Sequence, residues 1–270
     1  MDYTLSWRIF KVKLAVSGKG GVGKTTIAAG LIKFFASQGF RVYAVDADPD
    51  ASLGLVLGLP EEKVCSLKPV AEMREVIAQI TGGEGAFFSL NPDVEVLLSD
   101  YTLEYGNIMF FKMGTVKQAG TTCYCRENAV LNALINSLLL RRQEMVVLDM
   151  SAGIEHLTRG TARGVDVMLV VSEPSPVSLR TARTVERLAR DLGIPQIKFI
   201  ANKIRNPQEE ELFRHQFGED LLGLIPFEEL VWRGENKNSS AFNLALEAVG
   251  HRLLAMDLPK TLVEEVKKDA

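Results

Sequence analysis

Residues 12–37 read VKLAVSGKGGVGKTTIAAGLIKFFAS, and this stretch decides the fold. A β-branched run, Val12–Ser17, gives way to a glycine-rich loop, and the loop to an apolar-periodic segment from Thr25 to Ser37. Gly39 then stands where a helix stop belongs. The loop, Gly18-Lys19-Gly20-Gly21-Val22-Gly23-Lys24-Thr25, satisfies G-x-x-x-x-G-K-[ST]. Its glycines let backbone N–H groups approach phosphate oxygens closely, and the helix that follows points its positive end at them. The Lys24 ammonium can reach β- and γ-phosphate oxygens, and the Thr25 hydroxyl can ligate Mg2+. Gly20, Gly21, Val22, Gly23, Lys24, Thr25 and Thr26 are the expected nucleotide-binding residues. A merely flexible glycine turn would not account for Lys24 and Thr25 together.

Outward from the loop, Arg41–Val45 reads as the next strand, closed by Asp46-Ala47-Asp48-Pro49. Further strands are expected at Val94–Ser99, Ile108–Met113, Met145–Asp149, Val165–Val171, Lys198–Ala201 and Leu222–Ile225. Helical patterns lie between most of them, at Glu127–Arg141, Pro176–Leu192, Gln208–Phe217 and Ser240–Ala255. Continuous apolar strands alternating with helices imply an α/β fold, a mostly parallel P-loop NTPase sheet with helices on both faces. No repeat or linker marks a second domain, so residues 1–270 are expected to form one, with residues 1–10 as an N-terminal extension. The stretch from about Glu61 to Gly85 reads as an insertion or mobile region.

Composition narrows the function classes. Apolar residues make up 47% of the 270, ample for a buried core and against intrinsic disorder. The charge balance is 31 Lys+Arg against 34 Asp+Glu, a net −3, which gives no electrostatic reason for bulk nucleic-acid or membrane binding. Three cysteines are too few for a disulfide scaffold and point to a reducing compartment. The first ten residues carry Asp2 and Arg8 and lack the apolar core of a signal peptide. Apolar stretches such as Val165–Val171 are far shorter than the ~18 residues that span a bilayer. The expected location is cytoplasmic.

The stretch KGGVGKTT resembles the deviant Walker A loop of the family that contains MinD, ParA-type partition ATPases, arsenite-pump ATPases and the nitrogenase iron protein. The resemblance implies that Lys19 reaches across a two-fold interface to the partner's nucleotide, hence a homodimer closing over two ATP molecules. It also implies that Asp48 orients the attacking water, with Asp46 nearer the metal shell. Leu148-Asp149-Met150-Ser151-Ala152-Gly153 looks like the Walker B and switch II segment. Asp149 would then hold Mg2+ through water, and the Gly153 amide would sense the γ-phosphate. The base can be argued from chemistry. A guanine site of the N-K-x-D type needs an Asp, but the tetrad here is Asn202-Lys203-Ile204-Arg205. The Asn202 amide can still serve adenine, which favours ATP over GTP.

Cys123 and Cys125 form a C-x-C ahead of the helical pattern that starts near Glu127. In extended chain, residues i and i+2 face the same side, so both sulfurs can approach one ion. A following helix N-terminus favours thiolate, the metal-binding form. Two sulfurs do not fill a tetrahedral site, and His156, His215 and His251 offer no obvious local ligand. A two-fold dimer would supply the missing pair.

Taken together, the phosphate loop, VDADPDAS, MGTVKQAGTTCYC and LDMSAGIEHLTRGTA resemble the CooC-type nickel-insertion ATPases of carbon monoxide dehydrogenase. The likeness runs from about Lys11 to the last helix. It implies that Cys123 and Cys125 bind nickel or zinc at the dimer interface. It also implies a nickel client enzyme, carbon monoxide dehydrogenase or acetyl-CoA synthase, and no nucleic-acid or membrane partner. Cys65 is expected to be a buried small hydrophobe, and His156 a structural hydrogen-bonder. The alternative is a MinD- or ParA-like positioning or partition ATPase acting on DNA or membrane without a metal role. It rests on Arg180, Arg183, Arg187 and Arg190, whose spacing lines one helix face, although with an acidic chain that face reads better as a solvated one balanced by Glu186 and Asp191. A nitrogenase-iron-protein relative with a bridging iron–sulfur cluster fits less well, because that family separates its cluster cysteines.

Overall fold

A computed structural model describes residues 11–48, 51–70, 101–113, 143–150, 165–233 and 240–256. In these, strands β1 (Lys11–Gly18), β2 (Arg41–Ala47), β3 (Leu103–Tyr105), β4 (Ile108–Lys112), β5 (Glu144–Met150), β6 (Val167–Ser172), β7 (Gln196–Ile204) and β8 (Leu221–Pro226) form one sheet. The strand order is β3-β4-β2-β5-β1-β6-β7-β8. Every pairing is parallel except the short β3, which returns antiparallel along β4. The helices are α1 (Lys24–Ser37), α2 (Leu53–Leu57), α3 (Glu61–Ser66), α4 (Pro176–Asp191), α5 (Pro207–Phe217), α6 (Glu229–Trp232) and α7 (Ser240–Ala255).

The central strands are buried along their whole length, as strands covered on both faces must be. Alternation then assigns each side chain to a layer. Leu14 and Val16 join the core beneath α1 and α7, with Phe35, Leu246 and Val249. Ala15, Val146 and Leu148 join the opposite core, under α4 and α5, with Ala182, Val185, Ala189, Phe213 and Phe217. The expected mostly parallel sheet, helix-covered on both faces, is the observed one.

Helix starts follow their capping chemistry. Ser175 caps α4 by accepting from the Ser178 N–H at 3.3 Å, with Pro176 in the first turn. Asn206 caps α5 by accepting from the Glu209 N–H at 2.9 Å, and the Glu209 carboxylate accepts from the Arg205 N–H at 2.7 Å. At the outer strand β8 the pairing with β7 is irregular, and the α7 residue Arg252 donates to the Leu222 carbonyl at 2.6 Å.

Some expectations change. Cys65 is exposed on α3, not buried, because that single turn of helix turns only Val64 into the core. Part of the expected insertion, Glu61–Ser66, is therefore regular structure. The short α2, β3 and α6 were not foreseen; each is too short to show a period. The expected strand Val94–Ser99 and helix Glu127–Arg141 lie outside the described residues.

Two of the four stripe arginines of α4 are committed to the protein itself. Arg183 and Arg190 both pair with Glu186, at 2.8 and 2.9 Å. Arg183 also lies over the Phe217 ring at 4.7 Å and donates to the Gln216 carbonyl. Among the described residues no helix is long and apolar enough to cross a membrane.

Candidate functional site

The site assembles where β1, β2 and β5 end, the end of an open α/β sheet at which ligands bind. Strand register brings the pieces together: Val16 lies beside Asp149, Asp149 beside Asp46, and Gly18 beside Val171. The chain leaves β1 at Gly18 and re-enters helix at Lys24, so the loop between hangs over these strand ends. Two glycines are required by geometry. Gly18 holds φ +147° and a Cβ there would stand 2.2 Å from the Val171 carbonyl oxygen. Gly23 holds φ +95° and a Cβ would meet Asn202 Nδ2 at 2.5 Å. Either substitution would force the loop off its neighbours.

Lys24 is buried, its Nζ 3.4 Å from the Lys19 carbonyl. Burial lowers its pKa, while Asp149 and Asp48 act in the opposite direction. Asp149 is fully buried, and neither carboxylate oxygen has a hydrogen-bond partner of normal geometry. Burial raises its pKa to about 6; the Thr25 hydroxyl, interacting at looser range, and Lys24 both pull it down, whereas Asp48 pushes it up. Asp46, also fully buried, is raised to about 7, chiefly by burial and against the backbone hydrogen bond from Leu53. Its Oδ1 accepts from the Asp48 N–H at 3.2 Å and its Oδ2 from the Leu53 N–H at 2.9 Å. Asp46 thus fixes the backbone that carries Asp48 and opens α2.

These groups fit Mg2+ with a nucleotide. A buried carboxylate with both oxygens unsatisfied is costly unless something charged completes it, and Asp149 is such a group beside Thr25 and Lys24. Among the described residues no three His, Cys, Asp or Glu side chains form a metal-binding group of their own. That suits Mg2+, which binds through one or two carboxylates plus phosphate and water.

The structure brings Lys19, Gly20, Gly21, Val22, Gly23, Lys24, Thr25, Thr26, Asp46, Asp48, Asp149 and Asn202 to one end of the sheet. Gly153, Cys123 and Cys125 lie outside the described residues. Asn202 is buried against the loop and its Nδ2 donates to the Val22 carbonyl at 2.8 Å. Lys203 and Glu173, assigned no role at the loop from sequence, complete its support. Lys203 Nζ donates to the Gly21 carbonyl at 2.6 Å and to Glu173 Oε2 at 2.9 Å. Lys203 stood inside the tetrad already noted, but nothing in a linear sequence marks Glu173 as its counter-ion.

Residues 13–241 match the family model described as the CobQ/CobB/MinD/ParA nucleotide binding domain. The carbon monoxide dehydrogenase accessory protein CooC of Rhodospirillum rubrum is 40% identical over 250 residues, covering 90% of this chain and 95% of that protein. An uncharacterized ATP-binding protein of Methanocaldococcus jannaschii is 40% identical over 231 residues, covering 83% and 88%. Among solved structures, MinD of Pyrococcus horikoshii complexed with Mg-ADP superposes with a TM-score of 0.66 at 20% identity, covering 91% of this chain and 98% of that one. That last likeness speaks for the fold. With the family model spanning most of the chain and the phosphate loop in place, the chain belongs to the CobQ/CobB/MinD/ParA family of nucleotide-binding ATPases.

Proposed function

We propose that the chain is an ATP-dependent metallochaperone that pairs with a second copy over ATP. It would gather nickel or zinc through Cys123 and Cys125 of both copies and assist nickel insertion into carbon monoxide dehydrogenase or acetyl-CoA synthase. The observation that carries this reading is the 40% identity to the CooC accessory protein along 90% of the chain. A match of that length extends far beyond the phosphate loop.

The chain's own residues divide the work. Backbone N–H groups of the Gly18–Thr25 loop and the Lys24 ammonium hold the phosphates, and Thr25 with Asp149 forms the metal side of the site. Mg2+, held by Thr25 and Asp149, would supply neutralisation of the phosphate charge. Asp48, on the backbone that Asp46 fixes, orients the water that attacks the γ-phosphorus; the bond from that phosphorus to the β–γ bridging oxygen breaks, and ADP, inorganic phosphate and the water's proton are the products. Lys19 serves the partner's nucleotide, and Gly153 reports the γ-phosphate to the switch segment. The Nδ2 of Asn202 is committed to Val22, which leaves its Oδ1 to accept from an exocyclic amine. Adenine offers that amine where guanine offers a carbonyl, so ATP is the expected nucleotide. Hydrolysis by one copy alone should be slow, because phosphoryl transfer depends on positioning and charge stabilisation.

The cysteine assignment has a direct test. Cys123→Ser combined with Cys125→Ser should abolish stoichiometric nickel or zinc binding, measured by metal analysis after gel filtration, while ATP affinity stays at the wild-type value. Normal metal content in the double variant would overturn the thiolate site.

A further inference from the structure

Two consecutive residues of β7 leave the regular sheet and grip the phosphate loop from behind. The β7–β8 register shifts between Ala201 and Ile204. Within that irregularity Lys203 holds a φ of 62°, the left-handed region that a side chain with a Cβ disfavours. Backbone strain of this kind persists where the surroundings enforce it, and it concentrates at functional positions. Here it accompanies two hydrogen bonds to adjacent carbonyls of the loop: Lys203 Nζ to Gly21 at 2.6 Å and Asn202 Nδ2 to Val22 at 2.8 Å. The ammonium is braced from the other side by Glu173, whose own backbone N–H donates to the Ser178 hydroxyl at 3.1 Å, near the start of α4.

The consequence follows from the planarity of the peptide bond. In a trans peptide the N–H points opposite to its carbonyl. The Gly21 carbonyl shares its plane with the Val22 N–H, and the Val22 carbonyl with the Gly23 N–H. Holding both carbonyls against β7 therefore aims the Val22 and Gly23 N–H groups away from β7 and across the loop, where the Val22 N–H meets the Lys19 carbonyl at 3.5 Å, a contact that an incoming phosphate oxygen would replace. Anions bind to such convergent N–H groups. We propose that Lys203, braced by Glu173, is a positioning residue that sets the phosphate loop in its anion-accepting shape before nucleotide arrives. The strained backbone at Lys203 is the cost of presenting its ammonium there. The inference rests on the reading of Gly18–Thr25 as the nucleotide's phosphate site, but not on the cysteines or the client.

Lys203→Gly separates function from folding, since it removes the ammonium and relieves the positive φ at once. It should melt at or above the wild-type temperature yet bind Mg-ADP about 10-fold more weakly by calorimetry, the loss of one charge-assisted hydrogen bond. In steady-state hydrolysis KM should rise by a similar factor with kcat nearly unchanged, the signature of lost ground-state binding. Lys203→Arg keeps donors for both partners and should recover most of the affinity, and Glu173→Gln should fall between. Wild-type Mg-ADP affinity in Lys203→Gly would overturn the proposal. So would an affinity loss that tracks a falling melting temperature across the three variants. Failure of the wild-type protein itself to bind Mg-ADP would remove the phosphate-site reading, and this inference with it.

Discussion

Two buried carboxylates at the strand ends carry the chemistry of single residues. Asp46 and Asp149 have pKa values raised to about 7 and about 6. Both hold protons more tightly when folded than when unfolded, so the stability they contribute is present below the ordinary carboxylate range and is lost as pH climbs through those values. A divalent ion needs the ionised forms, and binding it must release the proton. Asp149, whose two oxygens are the unsatisfied ones, is the carboxylate that must ionise, so the affinity for Mg-ADP is expected to rise with pH, by up to about tenfold per unit below pH 6, and to level off above that. Calorimetry in buffers of different ionisation enthalpy reads the released proton. Asp149→Asn in the same buffers should flatten the dependence; an unchanged slope would show that Asp149 is not the titrating ligand. The acidic dyad was legible as residues near a phosphate loop. That Asp46 spends both oxygens on the Asp48 and Leu53 N–H groups was not, because a backbone partner leaves no trace in side-chain identity.

At the scale of elements, α4 shows why spacing alone misleads. Four arginines on one face would suit a phosphate-binding stripe as well as a face balanced by Glu186 and Asp191, and the Glu186 pairs favour the second. Arg183, however, is laid over Phe217 and Phe199, at 4.7 and 5.9 Å, and shares Glu186 with Arg190. It thereby fastens α4 to α5. Arg183→Ala should lower stability by about 1 kcal/mol through the lost stacking and aliphatic contact. Arg187→Ala, at an exposed position, should stay within about 0.5 kcal/mol of wild type in the same urea titration. Equal effects would argue against the docking role. The long elements could be read from sequence because apolar alternation and capping residues repeat along them. α2, α3, β3 and α6 could not, since three to six residues hold no full period and their positions depend on packing partners distant in the chain.

For the molecule as a whole, the parallel sheet, its two helical layers and the phosphate site were recoverable from Val12–Ser37 and the strand ends, because local pattern and global packing agree there. Under the proposed function, Cys123 and Cys125 act only together with a second copy. The assembly has its own test. Asp48→Ala should slow hydrolysis by about 100-fold or more and accumulate a nucleotide-bound dimer, seen by light scattering with ATP and not with ADP. A monomer under saturating ATP would sink the two-copy scheme. The two flanks of the described sheet bear on where a second copy can sit. One is finished by a three-residue strand running the wrong way for further parallel growth, and the other is kinked, with the Arg252 guanidinium lodged on the carbonyl of Leu222. Blunted rims of this sort discourage ribbon-to-ribbon stacking into open-ended fibres. Edge-to-edge growth into endless chains is thereby disfavoured, which suits the proposed pairing of two copies through the nucleotide face rather than through the sheet rims.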